Sequence, residues 1–232
     1  MIVAIHQPNF FPWLGFFYKI YLSDVFVLLD DVQFTKNSYI NRSKIIVQGQ
    51  EKWLTCPVIT SGEFGQKINE VSYFKPQKLT SIIKGTIQAN YGKSKFYKEY
   101  APQIYSEFRY ESLSLAQQNK VLIEKIIEIL GIKVEILCSS VMDDIEGTST
   151  KRLVSICKRL SADTYIGGFG SVNYQEDELF LDEKIQFIRS NFSHPVYNQN
   201  TTKFITGLSI LDALFSIGSE AILEYFDQMS NK

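Results

Sequence analysis

The sequence of 232 residues predicts an α/β fold with a mainly parallel, twisted sheet and flanking helices. Short apolar runs typical of strands alternate with segments of helical periodicity, and this alternation indicates a parallel sheet. A hairpin pattern and three successive helical segments interrupt it, which predicts an inserted β-hairpin and a helical subdomain over about 75–130. Neither a linker nor an internal repeat divides the chain, so we expect one domain over 1–232.

The first 30 residues have the pattern of one βαβ unit. "IVAIH" is a short apolar strand that stops at Pro8, and "WLGFFYKIYLSD" carries an aromatic helical face. "VFVLLDDVQF" is a continuous apolar run, as expected of a buried parallel strand, and it is followed by Asp30 and Asp31.

The middle of the chain predicts first a hairpin and then helices. Residues 43–48 and 51–58 are the hairpin strands, with "QGQE" as the turn. A helix is expected from Pro76 to a stop at Gly92, a second over "SKFYKEYAPQIYSEFRY", and a third up to Gly131.

The remaining elements complete the sheet. "KVEILCSS", "ADTYIGG" and "KIQFIRS" predict three further strands, and "TSTKRLVSICKRLS" predicts a helix capped by Thr148 or Ser149. The C-terminal segment is expected to be helical with an interruption near Gly218.

Composition excludes several classes of function. A net charge of -1 argues against a nucleic-acid partner. The three cysteines are too far apart in sequence for zinc spacing and are typical of a reducing cytoplasm. The N-terminus lacks a signal-peptide pattern, and no run approaches the ~20 apolar residues of a membrane span. We therefore expect a cytoplasmic protein without a membrane span or a bound metal.

Ligands of parallel sheets bind beyond the carboxyl ends of the strands. His6 ends the first strand there, and its imidazole makes it a candidate general base or acid, with Asp30 or Asp31 to orient it. The alternatives are a structural histidine and an aspartate that caps the next turn. The glycine turn containing Gly168 and the segment around His194 belong to the same edge.

The segment "QFTKNSYINRSK" follows the second strand with cations and amides that could hold a diphosphate or a sugar, or could form a solvated polar hairpin. Trp13 or Tyr39 could stack on a base or on a sugar face. The predicted substrate-binding residues are Gln7, Asn9, Trp13, Gln33, Lys36, Asn37, Tyr39, Asn41, Arg42, Gly168, Ser171, Tyr174, His194, Tyr197 and Gln199.

Four blocks in matching order resemble the WbqC-like protein family: "IHQPNFFPWLGFFYKI", "SDVFVLLDDVQFTKNSYINRSKI", "YIGGFGSVNY" and "HPVYNQ...LSILDALFSIG". The resemblance implies a transferase of bacterial O-antigen (lipopolysaccharide) biosynthesis. Its implied reaction is transfer of an acyl or aminoacyl group, such as glycyl, to the amine of a nucleotide-linked amino sugar.

The resemblance leaves the donor open. An acyl-carrier protein or a coenzyme A thioester would suit the reaction, but no motif identifies either. A non-catalytic sugar-nucleotide-binding protein and a deacylating hydrolase are the alternatives. A homodimer through the Tyr- and Phe-rich middle helices is a further expectation.

A weaker similarity links the first βαβ unit to the HxGH nucleotidylyltransferases. Trp13 and Phe16 stand where that family has histidines, and an aromatic ring cannot replace a cationic donor to phosphate. This difference disfavours adenylyl transfer by their mechanism.

Overall fold

The computed structural model describes residues 1–60, 65–168 and 177–231. Its strands are β1 (Ile2–His6), β2 (Val25–Leu28), β3 (Arg42–Val47), β4 (Gln50–Thr55), β5 (Val58–Ile59), β6 (Ser72–Tyr73), β7 (Glu135–Cys138), β8 (Thr164–Gly167) and β9 (Gln186–Arg189). Its helices are α1 (Leu14–Tyr21), α2 (Pro76–Tyr91), α3 (Tyr97–Tyr105), α4 (Leu115–Leu130), α5 (Ser149–Arg159), α6 (Asp177–Asp182) and α7 (Ile210–Ser230).

Five parallel strands form the central sheet in the order β7-β2-β1-β8-β9. The chain first runs outward from β1 through β2 to β7, and then places β8 and β9 on the other side of β1. The predicted α/β class is confirmed, together with the inserted β-hairpin, which is the antiparallel pair of β3 and β4.

The two faces of the sheet follow from strand periodicity, because alternate side chains point to opposite faces. Val3, Ile5 and Val27 pack in one core cluster with residues of α5 and α6. Ala4 and Phe26 pack in the other with α1, α4 and α7. Helices therefore cover both faces, which explains why the inner strands β1, β2 and β8 are mostly apolar on both sides.

The whole insertion lies in the crossover between β2 and β7. It contains the two β-hairpins, of which β5 pairs with β6, and then α2, α3 and α4. The last two of these helices contact each other and α7. The insertion thus packs on the same face of the sheet as α1.

Two helix ends match the sequence pattern, whereas α3 (Tyr97–Tyr105) is shorter than the predicted helical segment 94–110. Pro76 is the first residue of α2, and Gly131 ends α4 with a left-handed φ of 68°. Thr148 precedes α5, but its side chain makes no capping hydrogen bond, so the predicted cap is wrong in its chemistry. The short helix α6 has too few residues to show a helical period and was not expected.

Gly218 breaks the helical geometry of α7, as the sequence predicts. Its φ of 84° and ψ of 170° lie in a region that is almost restricted to glycine. A Cβ there would lie 3.0 Å from the Phe96 ring.

No described helix combines the length and the apolar character that a bilayer crossing requires.

We expect Gly218→Ala to destabilise the protein by about 2 kcal/mol, because it adds backbone strain and a clash with Phe96. Gly85→Ala is the matched control, since Gly85 lies within α2 with open space around it and should gain roughly 0.5–1 kcal/mol. Urea denaturation measures both. Equal stability of the two variants would contradict the importance of the break.

Candidate functional site

The topology locates the candidate site between β1 and β8. The chain leaves these neighbouring strands toward opposite edges of the sheet, and such a switch point opens a crevice at the carboxyl ends of the strands. His6 is the last residue of β1, and Gly168 directly follows β8. Two predicted site residues, Ser171 and Tyr174, lie outside the described residues.

His6 is held in one tautomer. Its Nδ1 lies 3.0 Å from the backbone oxygen of Gln7, and a carbonyl only accepts, so Nδ1 carries the proton. Its ring also packs edge-on against Phe16 of α1, with the centroids 5.0 Å apart. Nε2 is left with its lone pair and has no hydrogen-bond partner among the described residues. The partly buried imidazole can therefore accept a proton from a ligand through Nε2.

A buried lysine lies beside this histidine. Lys19 of α1 is 4% exposed, and its Nζ donates to the carbonyl of Ile5 at 2.8 Å. The ammonium also lies 5.6 Å from the ring centroid of Phe26. No carboxylate pairs with it in the part of the chain that the structure describes. Burial lowers the pKa of Lys19 to about 7.

The Lys19 ammonium lies at the switch point between β1 and β8. Successive residues of a parallel strand bond to opposite neighbours, and the His6 carbonyl accepts from Leu29 on the β2 side. The Ile5 carbonyl therefore faces β8, where pairing ends at Ala4. Lys19 satisfies this acceptor at the point where β1 and β8 separate.

Burial and the positive charge of Lys19 together lower the pKa of His6 from 6.5 to about 4. The hydrogen bond to Gln7 opposes the change in part. Both main causes disfavour the imidazolium form, so His6 is neutral from about pH 5 upward.

The two aspartates contact another part of the edge. The Asp30 carboxylate accepts from the backbone N and the Oγ of Ser140, at 2.9 and 2.7 Å, and so holds the short turn that follows β7. Asp31 accepts from Ser139 Oγ at 2.5 Å and pairs with Arg152 of α5. The structure therefore joins both aspartates to the end of β7 rather than to His6.

The first turn and the polar segment after β2 lie side by side. The backbone N of Phe10 donates to the carbonyl of Tyr39 at 2.9 Å. The fully buried Asn119 bridges the two segments, since its Nδ2 donates to the carbonyls of Pro8 and Ile40 at 2.8 and 2.7 Å. Sequence reasoning missed Asn119, although it is a polar residue on the apolar face of α4.

The other predicted residues of these segments differ in exposure. Asn9 and Asn41 are buried, and Asn41 Nδ2 donates to the carbonyl of Cys56 at 3.0 Å. Asn41 therefore fixes the hairpin. Gln33, Lys36, Asn37 and Tyr39 are exposed, and Arg42 is partly buried.

Trp13 and His194 meet although 181 positions separate them in the sequence. Their ring centroids lie 5.3 Å apart, and Phe192 completes the cluster 5.4 Å from Trp13. His194 Nε2 accepts from the backbone N of Gly207 at 3.2 Å, and burial lowers the pKa of His194. A Cβ on Gly15 would lie 2.3 Å from the indole. This close packing indicates that Trp13 is a structural contact.

Tyr197 and Gln199 converge on a carboxylate that sequence reasoning missed. Asp212 of α7 is 1% exposed and accepts from Tyr197 Oη at 2.7 Å, from Gln199 Nε2 at 3.1 Å and from Tyr91 Oη at 3.1 Å. Burial raises the pKa of Asp212, and these hydrogen bonds oppose the rise. The network borders a polar cavity of about 270 Å³.

Comparisons with known proteins identify the family of this chain. The model of the WbqC-like protein family matches residues 7–224, and the chain belongs to that family. An uncharacterized protein of Mycobacterium tuberculosis (strain H37Rv), Rv1507c, is 32% identical to this chain in an alignment that covers 94% of this chain and 95% of the relative. No solved structure matches the chain.

Lys19→Met should raise the pKa of His6 toward 6.5, because methionine keeps a long apolar stem and lacks the neighbouring positive charge. NMR titration can follow this change cleanly, since the chain has two histidines. His194 is the internal control, and its pKa should not change. An unchanged pKa of His6 would contradict the coupling to Lys19.

Asp212→Ala should cost about 3 kcal/mol of stability, because it leaves three buried donors without their acceptor. Asp227→Ala is the control from the same helix. Asp227 is exposed and hydrogen-bonds Tyr21 at the surface, so we expect a loss under about 1 kcal/mol. Chemical denaturation at pH 7 compares the two variants. Similar small losses would show that the network contributes little.

Proposed function

We propose that this member of the WbqC-like protein family transfers an acyl or aminoacyl group to the amine of a nucleotide-linked amino sugar. The observation that carries the proposal is the neutral His6, whose Nε2 has no hydrogen-bond partner among the described residues and lies at the carboxyl end of β1 beside the switch point. Family membership supports a role in surface-polysaccharide synthesis through the resemblance given above.

The proposed reaction assigns the proton transfers to His6. The neutral amine attacks the acyl carbonyl, and the new N–C bond makes the nitrogen strongly acidic. His6 Nε2 takes that proton and returns it to the leaving group as the bond between the acyl carbon and the donor breaks. With a thioester of coenzyme A or of an acyl-carrier protein, the leaving group departs as a thiol.

The low pKa of His6 predicts the pH dependence of this reaction. Protonated His6 cannot act as a base, so the part of the fall in kcat/KM that is due to His6 should set in only as the pH approaches about 4. Any activity change between pH 6 and 8 would then come from the substrate amine or from Lys19, whose pKa is about 7.

His6→Gln should lower kcat by roughly 10²- to 10⁴-fold, which is the usual contribution of a general base. The assay uses candidate nucleotide-linked amino sugars with acyl and aminoacyl thioesters, and mass spectrometry detects the product. His194→Gln is the matched control and should keep most activity, because His194 packs against Trp13 and accepts from Gly207. Turnover by His6→Gln at the wild-type rate would contradict the proposed role of His6 as the general base.

The contacts of His6 also suit a second candidate function. Its ring is fixed by Gln7 and Phe16, as a purely structural histidine would be, and the protein would then bind the sugar nucleotide without turnover. Thermal stabilisation by nucleotide sugars with no product from any donor would select that function.

A further inference from the structure

The β3–β4 hairpin has one buried and one exposed face. Its register pairs Lys44 with Trp53 and Arg42 with Thr55, so alternation places these four side chains on the same face. The intervening residues Ser43, Ile45 and Leu54 are almost fully buried. The hairpin therefore uses one face for the core and leaves the other to a ligand or to solvent.

Two large aromatic rings stand at the exposed face. Trp53 is 41% exposed and Tyr39 is 43% exposed, and their rings meet at 63° with the centroids 5.3 Å apart. The guanidinium carbon of Arg42 lies 4.0 Å from the Trp53 ring centroid, and Lys44 Nζ lies 5.5 Å from it. We call Tyr39, Arg42, Lys44 and Trp53 the hairpin platform.

The charge of the hairpin platform is not fully compensated. Lys44 pairs with Glu51 at 2.9 Å. The Arg42 guanidinium donates to the carbonyl of Asn37, and no carboxylate among the described residues pairs with it. Stacking on Trp53 thus orients a positive group beside two exposed rings.

We propose that the hairpin platform binds the nucleoside diphosphate part of the substrate. A base would stack on the exposed indole and phenol rings, as bases do on aromatic side chains elsewhere. The Arg42 guanidinium would bind a phosphate oxygen. The identity of this ligand as a nucleotide-linked sugar rests on the proposed function.

The scale of the hairpin platform favours a single nucleotide. Two rings and one uncompensated cation match one base and its phosphate, whereas a polymer needs a row of cations along its backbone. The net charge of -1 is consistent with this choice.

The position of the hairpin platform connects it to the candidate site. The Tyr39 carbonyl accepts from the backbone N of Phe10, in the turn that begins after His6. A nucleotide bound on the platform would therefore lie next to the first turn. This assignment moves the stacking role from Trp13, which is packed against His194 and Phe192, to Trp53.

Fluorescence can test the assignment because the chain has two tryptophans. In Trp13→Phe the emission comes from Trp53 alone, and UDP, GDP, ADP and dTDP are titrated in turn. We expect saturable quenching by at least one of them. In Trp53→Phe the remaining Trp13 emission should not respond to that nucleotide.

Calorimetry on variants of the full chain gives a second readout. Trp53→Ala should weaken binding of the quenching nucleotide roughly tenfold or more. Arg42→Gln should reduce diphosphate affinity toward that of the free nucleoside. Phe74→Ala is the matched control, since Phe74 is also exposed and has Lys75 Nζ 5.0 Å from its ring centroid. This variant should bind the nucleotide with unchanged affinity.

The outcomes separate this inference from the proposed function. Equal affinity in wild type and Trp53→Ala, or acyl transfer without nucleotide binding at the platform, would overturn the inference and leave the proposed function standing. Platform binding in a protein that shows no turnover with any donor would support the inference and contradict the transfer reaction.

Discussion

The hydrogen bond from the buried Lys19 ammonium to the Ile5 carbonyl is the constraint on which the rest of the site depends. A lysine inside a protein is costly unless its donors are satisfied, and here the acceptor is a strand carbonyl exposed by the separation of β1 and β8. The bond fixes α1 against β1, and Phe16 of the same helix packs against His6. The charge of Lys19 then favours the neutral imidazole. One side chain thus contributes to the position and to the protonation state of His6.

Two buried polar networks join distant segments of the chain. Asn119 joins the first turn to the segment before the hairpin, and Asp212 joins the region of Tyr197 to α2 and α7. Tyr91 extends the second network to β3, because its Oη accepts from the backbone N of Ile46. These bonds link the insertion to the sheet through groups whose donors cannot reach water. Their satisfaction therefore favours one arrangement of the segments over others.

Periodicity sufficed to predict the sheet because its inner strands are mostly apolar on both faces and its helices are amphipathic. The runs "VAIH" and "VFVLL" have the continuous apolar pattern of buried strands, and Gly218 can adopt the positive φ that breaks α7. Periodicity does not indicate which polar side chains form hydrogen bonds with each other. Asp30 and Asp31 follow β2, whose neighbour in the sheet is β7. The hydroxyls of Ser139 and Ser140, which follow β7, therefore bind them. Two residues could have been found from the sequence. Lys19 is a single cation inside the apolar run "FFYKIY", and Asn119 is a polar residue among the apolar positions of α4.

The low pKa of His6 also bears on the choice between acyl transfer to an amine and hydrolysis by water. An imidazole whose conjugate acid has a pKa of about 4 is a weak base, and it gains little by removing a proton from water. It can accept a proton from an amine nitrogen that has already bonded to an acyl carbon, because that nitrogen is far more acidic than water. The imidazolium that results is a strong acid and readily protonates a departing thiolate. The environment of His6 therefore supports the proposed transfer to an amine more than it supports hydrolysis.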